Sequence, residues 1–123
     1  IEYQTIKKDL EQLTGDDPME KAILLFHSPP YQTHLDRAAL DGVMIDNVPL
    51  DVHVGSIAIK RLLEDRGPLV SLHGHIHEST RITGEWMDNV GKTISMNAAW
   101  DGPELSLISF YARKPEEATR RLI

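Results

Sequence analysis

Leu69-Val70-Ser71-Leu72-His73-Gly74-His75-Ile76-His77-Glu78-Ser79 is an apolar run, too short for a stable helix, that stops abruptly at a glycine set among histidines. It reads as a buried strand that delivers its side chains onto a loop at its carboxyl end. Gly74 permits a tight turn. Imidazole is the commonest protein ligand of transition metals, so the His75/His77 pair is read as metal-ligating. His73, His75 and His77 are half of the chain's 6 histidines, a clustering that chance does not explain.

Working outward, Ala22-Ile23-Leu24-Leu25-Phe26 is a second apolar run, ended by His27-Ser28-Pro29-Pro30. Continuous rather than alternating hydrophobicity predicts a strand buried on both faces, as in an α/β sheet. Between the two runs, Ser56 can cap a helix over 57–66, with Ile57, Ile59, Leu62 and Leu63 as its apolar stripe and Gly67-Pro68 as its stop. A strand–helix–strand crossover leaves its strands parallel, and neighbours lie about 4.8 Å apart. His27 and the His75/His77 pair then emerge at one sheet edge, where open α/β sheets hold their ligands.

The remaining segments are read from the same signals. Tyr3, Ile6, Leu10 and Leu13 recur at helical spacing, with Lys7 and Glu11 one turn apart and Gly15 as a stop, which predicts a helix over 3–14. Residues 31–55, punctuated by Gly42, Pro49 and Gly55, predict a long loop with one short strand; long loops in compact domains are often functional. Tyr31, His34, Asp36 and His53 are its weak substrate-side candidates. Residues 80–83, 93–96 and 105–110 read as strands, with turn residues at 88–91, and 115–123 as a polar, helical tail. Asn97, ending the middle strand, reads as a turn former rather than a ligand.

Composition excludes several classes. The 123 residues carry 26% charged and 41% apolar residues, ordinary for one globular domain. With no cysteine, a metal must be held by histidine, carboxylate or amide groups. No apolar run approaches the roughly 20 residues of a membrane span, and no secretory signal is visible, so the expected location is cytoplasmic. A net charge of −6 without a basic cluster gives no support to a nucleic-acid surface. The first residue is Ile1, so the chain is expected to be a fragment.

Leu24-Leu25-Phe26-His27-Ser28-Pro29-Pro30, Leu35-Asp36-Arg37, Val54-Gly55-Ser56 and Gly74-His75-Ile76-His77-Glu78-Ser79 together resemble the carboxyl-terminal half of a calcineurin-like metallophosphoesterase. The similarity is nearest to small bacterial and archaeal phosphoesterases of unassigned substrate, and it runs over roughly residues 1–110. It implies half of a four-layer α/β/β/α sandwich: one mixed sheet with helices on one face, with metals held between two such sheets. His27 and His75 would bind one metal and His77 the other. The implied cofactors are two divalent ions (Mn, Fe, Ni or Zn) in a full-length parent, with partial or no occupancy in this chain. The implied reaction is metal-dependent hydrolysis of a phosphate monoester or diester.

The family's amino-terminal motifs, Asp-x-His, Gly-Asp-x-x-Asp and Gly-Asn-His, do not occur here, and Asn97-Ala98-Ala99 stands where many relatives carry Asn-Pro-Gly. Residues 1–123 are therefore expected to be the carboxyl-terminal half of the domain. Without the missing bridging carboxylate, Asn ligand and general-acid His, the chain is expected to be inactive alone, and no catalytic residue is assigned. The alternative is a non-catalytic binding or scaffold module that keeps the fold. Other histidine-metal folds fit less well: amidohydrolase barrels need about 200 residues or more, and the metallo-β-lactamase pattern fails because His77-Glu78 stands where Asp-His belongs. Helices on one face leave the other face of the sheet apolar and uncovered. A second copy of the chain, a separate amino-terminal half or a rearranged 31–55 segment is expected to cover it, with a homodimer favoured.

Overall fold

The computed structural model describes residues 2–123, with side chains from residue 5 onward. In chain order its elements are α1 (Glu2–Thr14), β1 (Ile23–Leu25), β2 (Met44–Ile45), β3 (Val48–Pro49), α2 (Ile57–Arg66) and β4 (Val70–His73). There follow α3 (Ser79–Thr83), β5 (Met87–Val90), β6 (Thr93–Asn97), β7 (Ser106–Tyr111) and β8 (Lys114–Leu122). The chain is thus mixed α/β. Its main sheet has the order β1-β4-β6-β5 and is mixed: β1, β4 and β6 run parallel while β5 runs antiparallel to β6. β2–β3 and β7–β8 are separate two-stranded ribbons.

The predicted crossover is present. Ser56 accepts a hydrogen bond from the Ile59 N–H at the start of α2, and Gly67 closes it in the left-handed conformation, its N–H bonded to the Leu63 carbonyl. β1 and β4 pair in register, Ile23 opposite Val70 and Leu25 opposite Leu72. Helix α2 packs on one face of the sheet, where Ile59, Leu63 and Val90 form the core and Leu10 and Phe26 lean against it. Removing these apolar surfaces from water, at about 25 cal/mol per Å², is what holds the helices to the sheet.

The other face differs from expectation. The continuous run over 22–26 predicts a strand buried on both sides, yet Ile23 is 43% and Leu25 76% exposed. β1 lies at the sheet edge, and the helices cover only the face of Phe26. Toward the middle that second face, expected to be uncovered, is closed within the chain itself, with Val70 and Met96 fully buried, so only the β1 edge remains open.

Three further elements correct the sequence reading. Residues 80–83, with three β-branched side chains and read as a strand, lie in the short helix α3, ended by Gly84 in the left-handed conformation. Here side-chain tethers to the 31–39 loop override β propensity. The 115–123 tail lies in the strand β8, paired antiparallel with β7, because the backbone N–H and C=O groups along the edge of β7 need partners. Asp88–Val90 are not a turn but most of β5, with the reversal at Gly91-Lys92. In α1, Leu13 is exposed and Thr14 buried, so the inward stripe runs Ile6-Leu10-Thr14; Tyr3 lies outside the described side chains. Lys7 and Glu11 do approach, to 3.9 Å, as an exposed pair worth little. The 31–55 loop holds two short strands, the hairpin β2–β3, turned at Asp46-Asn47 with both φ positive.

No helix is long and apolar enough to cross a membrane among the described residues.

Gly55 joins the loop to the sheet. A Cβ there would lie 2.6 Å from the Pro29 carbonyl oxygen and 2.7 Å from Pro30 backbone atoms. No flexible side chain can yield, so Gly55→Ala should cost about 1–3 kcal/mol and break the Pro30–Ser56 bridge. Urea unfolding checks the first expectation, and amide exchange at Tyr31 and Ser56, whose N–H groups bond across that bridge, checks the second.

Candidate functional site

Because β1 and β4 are parallel neighbours, their carboxyl ends lie together. The Phe26 N–H bonds the Leu72 carbonyl, and one step further the Gly74 N–H bonds the His27 carbonyl at 3.1 Å. This places the His27 and His75 rings with centroids 4.5 Å apart and planes tilted by 50°. His75 has φ +73°, the left-handed region, where a non-glycine residue bears a strain of roughly 1–2 kcal/mol. The strain is held in place by its neighbours: Ile76 is buried, its N–H bonds the Gly74 carbonyl, and its carbonyl accepts from Asn97 Nδ2. His27, His75 and His77 are all exposed. Among the described residues, no group of three or more His, Asp or Glu side chains could hold a metal ion. The structure therefore brings His27 and His75 together and does not add His77 as a third. Two adjacent imidazoles are fewer than the four ligands of a closed transition-metal site or the three of a catalytic one.

The 31–56 segment is built around Asp36, whose carboxylate is fully buried. Its oxygens accept from the N–H groups of Gln32, Thr33 and Gly55 at 2.9–3.0 Å and from His53 Nδ1 at 2.6 Å. These four donors satisfy a group whose burial would otherwise be prohibitive. The same segment is stapled to the histidine loop. Ser79 Oγ donates to the His34 carbonyl and accepts from the Arg37 N–H, and Glu78 accepts from the Ala39 N–H. Asn97 Nδ2 bridges the Leu35 and Ile76 carbonyls. Tyr31 donates to Asp51, which holds the Asp51 carboxyl below and the Tyr31 phenol above their ordinary values. Of the four loop candidates, Tyr31, Asp36 and His53 adjoin one another, and His34, which pairs with Asp88 at 3.2 Å, lines one cleft with His53. Sequence reasoning passed over Asp88, Glu78 and Ser79. Ser79 and Glu78 were within sight, in the histidine stretch itself; nothing in the sequence marked Asp88.

His73 is a different kind of histidine. It is buried, stacked on Phe26 at 5.4 Å, and its pKa is lowered to about 4 by burial, against which the bond to Ser28 acts. Nδ1–H donates to the Ser28 carbonyl, so Nε2 of the neutral ring accepts from the Ser71 hydroxyl, which in turn accepts from Ser95. It is a core histidine, not part of the exposed pair.

Comparison with known proteins adds one similarity. The chain is 36% identical over 81 residues to the uncharacterized protein MJ1162 of Methanocaldococcus jannaschii, a match over 64% of this chain and 31% of that protein. The aligned part thus spans about a third of the relative's length. No family model and no solved structure matches the chain.

The neutral His73 carries a pH signature. Its folded pKa lies below the ordinary imidazole value of about 6.5, so its contribution is intact above that pH and is lost as pH falls toward 4. The loss should approach about 3 kcal/mol. Urea unfolding between pH 7 and pH 4 measures it, and His73→Asn should flatten that part of the profile. An unchanged slope would mean that other groups set the acid lability.

Proposed function

We propose that this chain is the histidine-bearing part of a metal-dependent phosphoesterase of the calcineurin-like type, acting on a phosphate monoester or diester within a longer parent. The observation that carries this reading is the contact of His27 and His75 at the carboxyl ends of adjacent parallel strands. Strain at His75 adds support, since strained backbone is concentrated at functional positions. In this reading His27 and His75 offer nitrogens to one divalent ion and His77 to a second. The remaining ligands and the general acid come from sequence that this chain does not contain. Bound ions would supply Lewis acidity toward the phosphoryl oxygens and a water acidic enough to act as nucleophile. The chain's own part is to hold the imidazoles at the sheet edge and, through the stapled 31–56 segment, to wall the site.

The same reading covers the exposed side of β1. Ile23 and Leu25 lead directly into His27, so the ligands border an uncovered apolar edge. A second sheet belongs there in the four-layer sandwich, supplied by the amino-terminal half or, in the isolated chain, by a second copy. One observation favours the alternative of a non-catalytic module: no third ligand side chain joins the pair among the described residues.

Titration with Zn²⁺ or Ni²⁺, followed by the histidine ring signals in NMR, separates these readings. Weak binding that is lost in His75→Ala and weakens on acidification, as protons compete for the nitrogens, supports the metal reading; no binding at neutral pH leaves the module. Residues 1–123 alone should not hydrolyse bis-p-nitrophenyl phosphate. Robust turnover abolished by His75→Ala would overturn the incomplete site. Sedimentation at micromolar concentration should show a dimer, and a stable monomer would count against the half-sandwich.

A further inference from the structure

The Asp36–His53 pair has a feature that a structural staple does not require. Asp36 already receives three backbone N–H groups, and the imidazole is a fourth donor. With Nδ1 turned to the buried carboxylate, the opposite edge of the ring carries Nε2, which has no hydrogen-bond partner among the described residues. That ring lines a cleft of about 330 Å³ together with His34, Arg37, Thr83 and Asp88. The volume lies at the small end of ligand clefts and suits a group about the size of one sugar ring.

The charges in the cleft argue against an anion as its occupant. Arg37 is already bound to Asp41 through Nη2, at 2.8 and 3.1 Å, and Asp88 stands against His34. The full charges are countered within the protein, and a second anion would meet the Asp88 carboxylate. What remains unfilled among the described residues is the cleft-side ring nitrogen, His53 Nε2, and two Arg37 donors, Nη1 and the buried Nε. A hydroxyl is the group that donates and accepts at once. The two walls are tied to the candidate ligands. Ser79, two residues beyond His77, bonds both the His34 carbonyl and the Arg37 N–H. Gly55, bonded to Asp36, is pressed against Pro29 and Pro30, just beyond His27.

We propose that this cleft is the subsite for the alcohol portion of the ester, that this alcohol is polyhydroxylated and sugar-like, and that Asp36 positions His53 to read one of its hydroxyls. Placing the cleft on the alcohol side rests on the phosphoesterase reading; recognition of hydroxyls does not.

The test follows the ring signals of His53 and His34 in the chain with Zn²⁺ present, as D-ribose, ribose 5-phosphate and phenyl phosphate are added in turn. D-Ribose alone should shift both rings. Ribose 5-phosphate should bind about five-fold more tightly than phenyl phosphate, the scale of one or two net hydrogen bonds. His53→Gln retains a donor for Asp36 but alters the edge facing the cleft; it should abolish the preference and leave phenyl phosphate binding unchanged. Arg37→Gln, at a half-buried position outside the Asp36 cluster, should weaken ribose binding and serves if His53→Gln fails to fold. Rings unmoved by ribose, or a phenyl phosphate that binds as tightly as ribose 5-phosphate, would overturn the subsite, as would a preference that survives both substitutions. If ribose shifts the rings but phosphate adds nothing, the subsite stands and the phosphoesterase reading falls.

Discussion

The burial of the Asp36 carboxylate constrains the site more than any other single interaction. A carboxylate out of water must be met by donors at nearly every lone pair, and an orphaned one would shift to its neutral form or unfold the segment. Four donors meet it, from Gln32, Thr33, His53 and Gly55, so residues that are distant in sequence are drawn to one point. The loop cannot change at 32 without disturbing 53 and 55. Its position against the sheet is then closed by Gly55, whose missing Cβ is what allows the backbone to rest on Pro29 and Pro30. A segment of low regular structure is made definite by one buried charge.

The second organising fact is the parallel pairing of β1 with β4. It needs the α2 crossover, which is well specified locally by the Ser56 cap and the Gly67 stop. Its consequence is chemical: two strand ends that finish in His27 and Gly74-His75 deliver both imidazoles to one edge. The sheet has two unlike faces. Under α2 the strands bring Phe26 and Val90 to the core, yet β4 and β6 place Ser71, His73, Ser95 and Asn97 in buried positions. That polar inventory is hydrogen-bonded throughout, from the Ser28 carbonyl through His73 to Ser71 and Ser95, and from Asn97 to Leu35 and Ile76. Such a network rigidifies the strand ends from beneath, while the edge above them remains exposed at Ile23 and Leu25. The phosphoesterase proposed above would use both: a braced floor, and a pair of imidazoles beside an exposed apolar edge.

Several features of this protein were determined by the sequence alone. The helix over 57–66 with its cap and stop, the parallel strands on either side, and the convergence of His27 with His75 follow from local signals and a crossover rule, because period, caps and apolar runs act over a few residues. The tertiary structure decided the rest. It separated His73 from its neighbours in the histidine cluster, since burial against Phe26 rather than residue type holds its pKa low. It coiled residues 80–83 into α3 where β-branched residues suggested a strand, because Ser79 is bound to the 34–37 loop. It made 114–122 a strand, because β7 supplied a partner that polar composition does not announce. And it joined Asp36 to His53, 17 residues apart, through hydrogen bonds that have no period and leave no trace in the pattern of the chain.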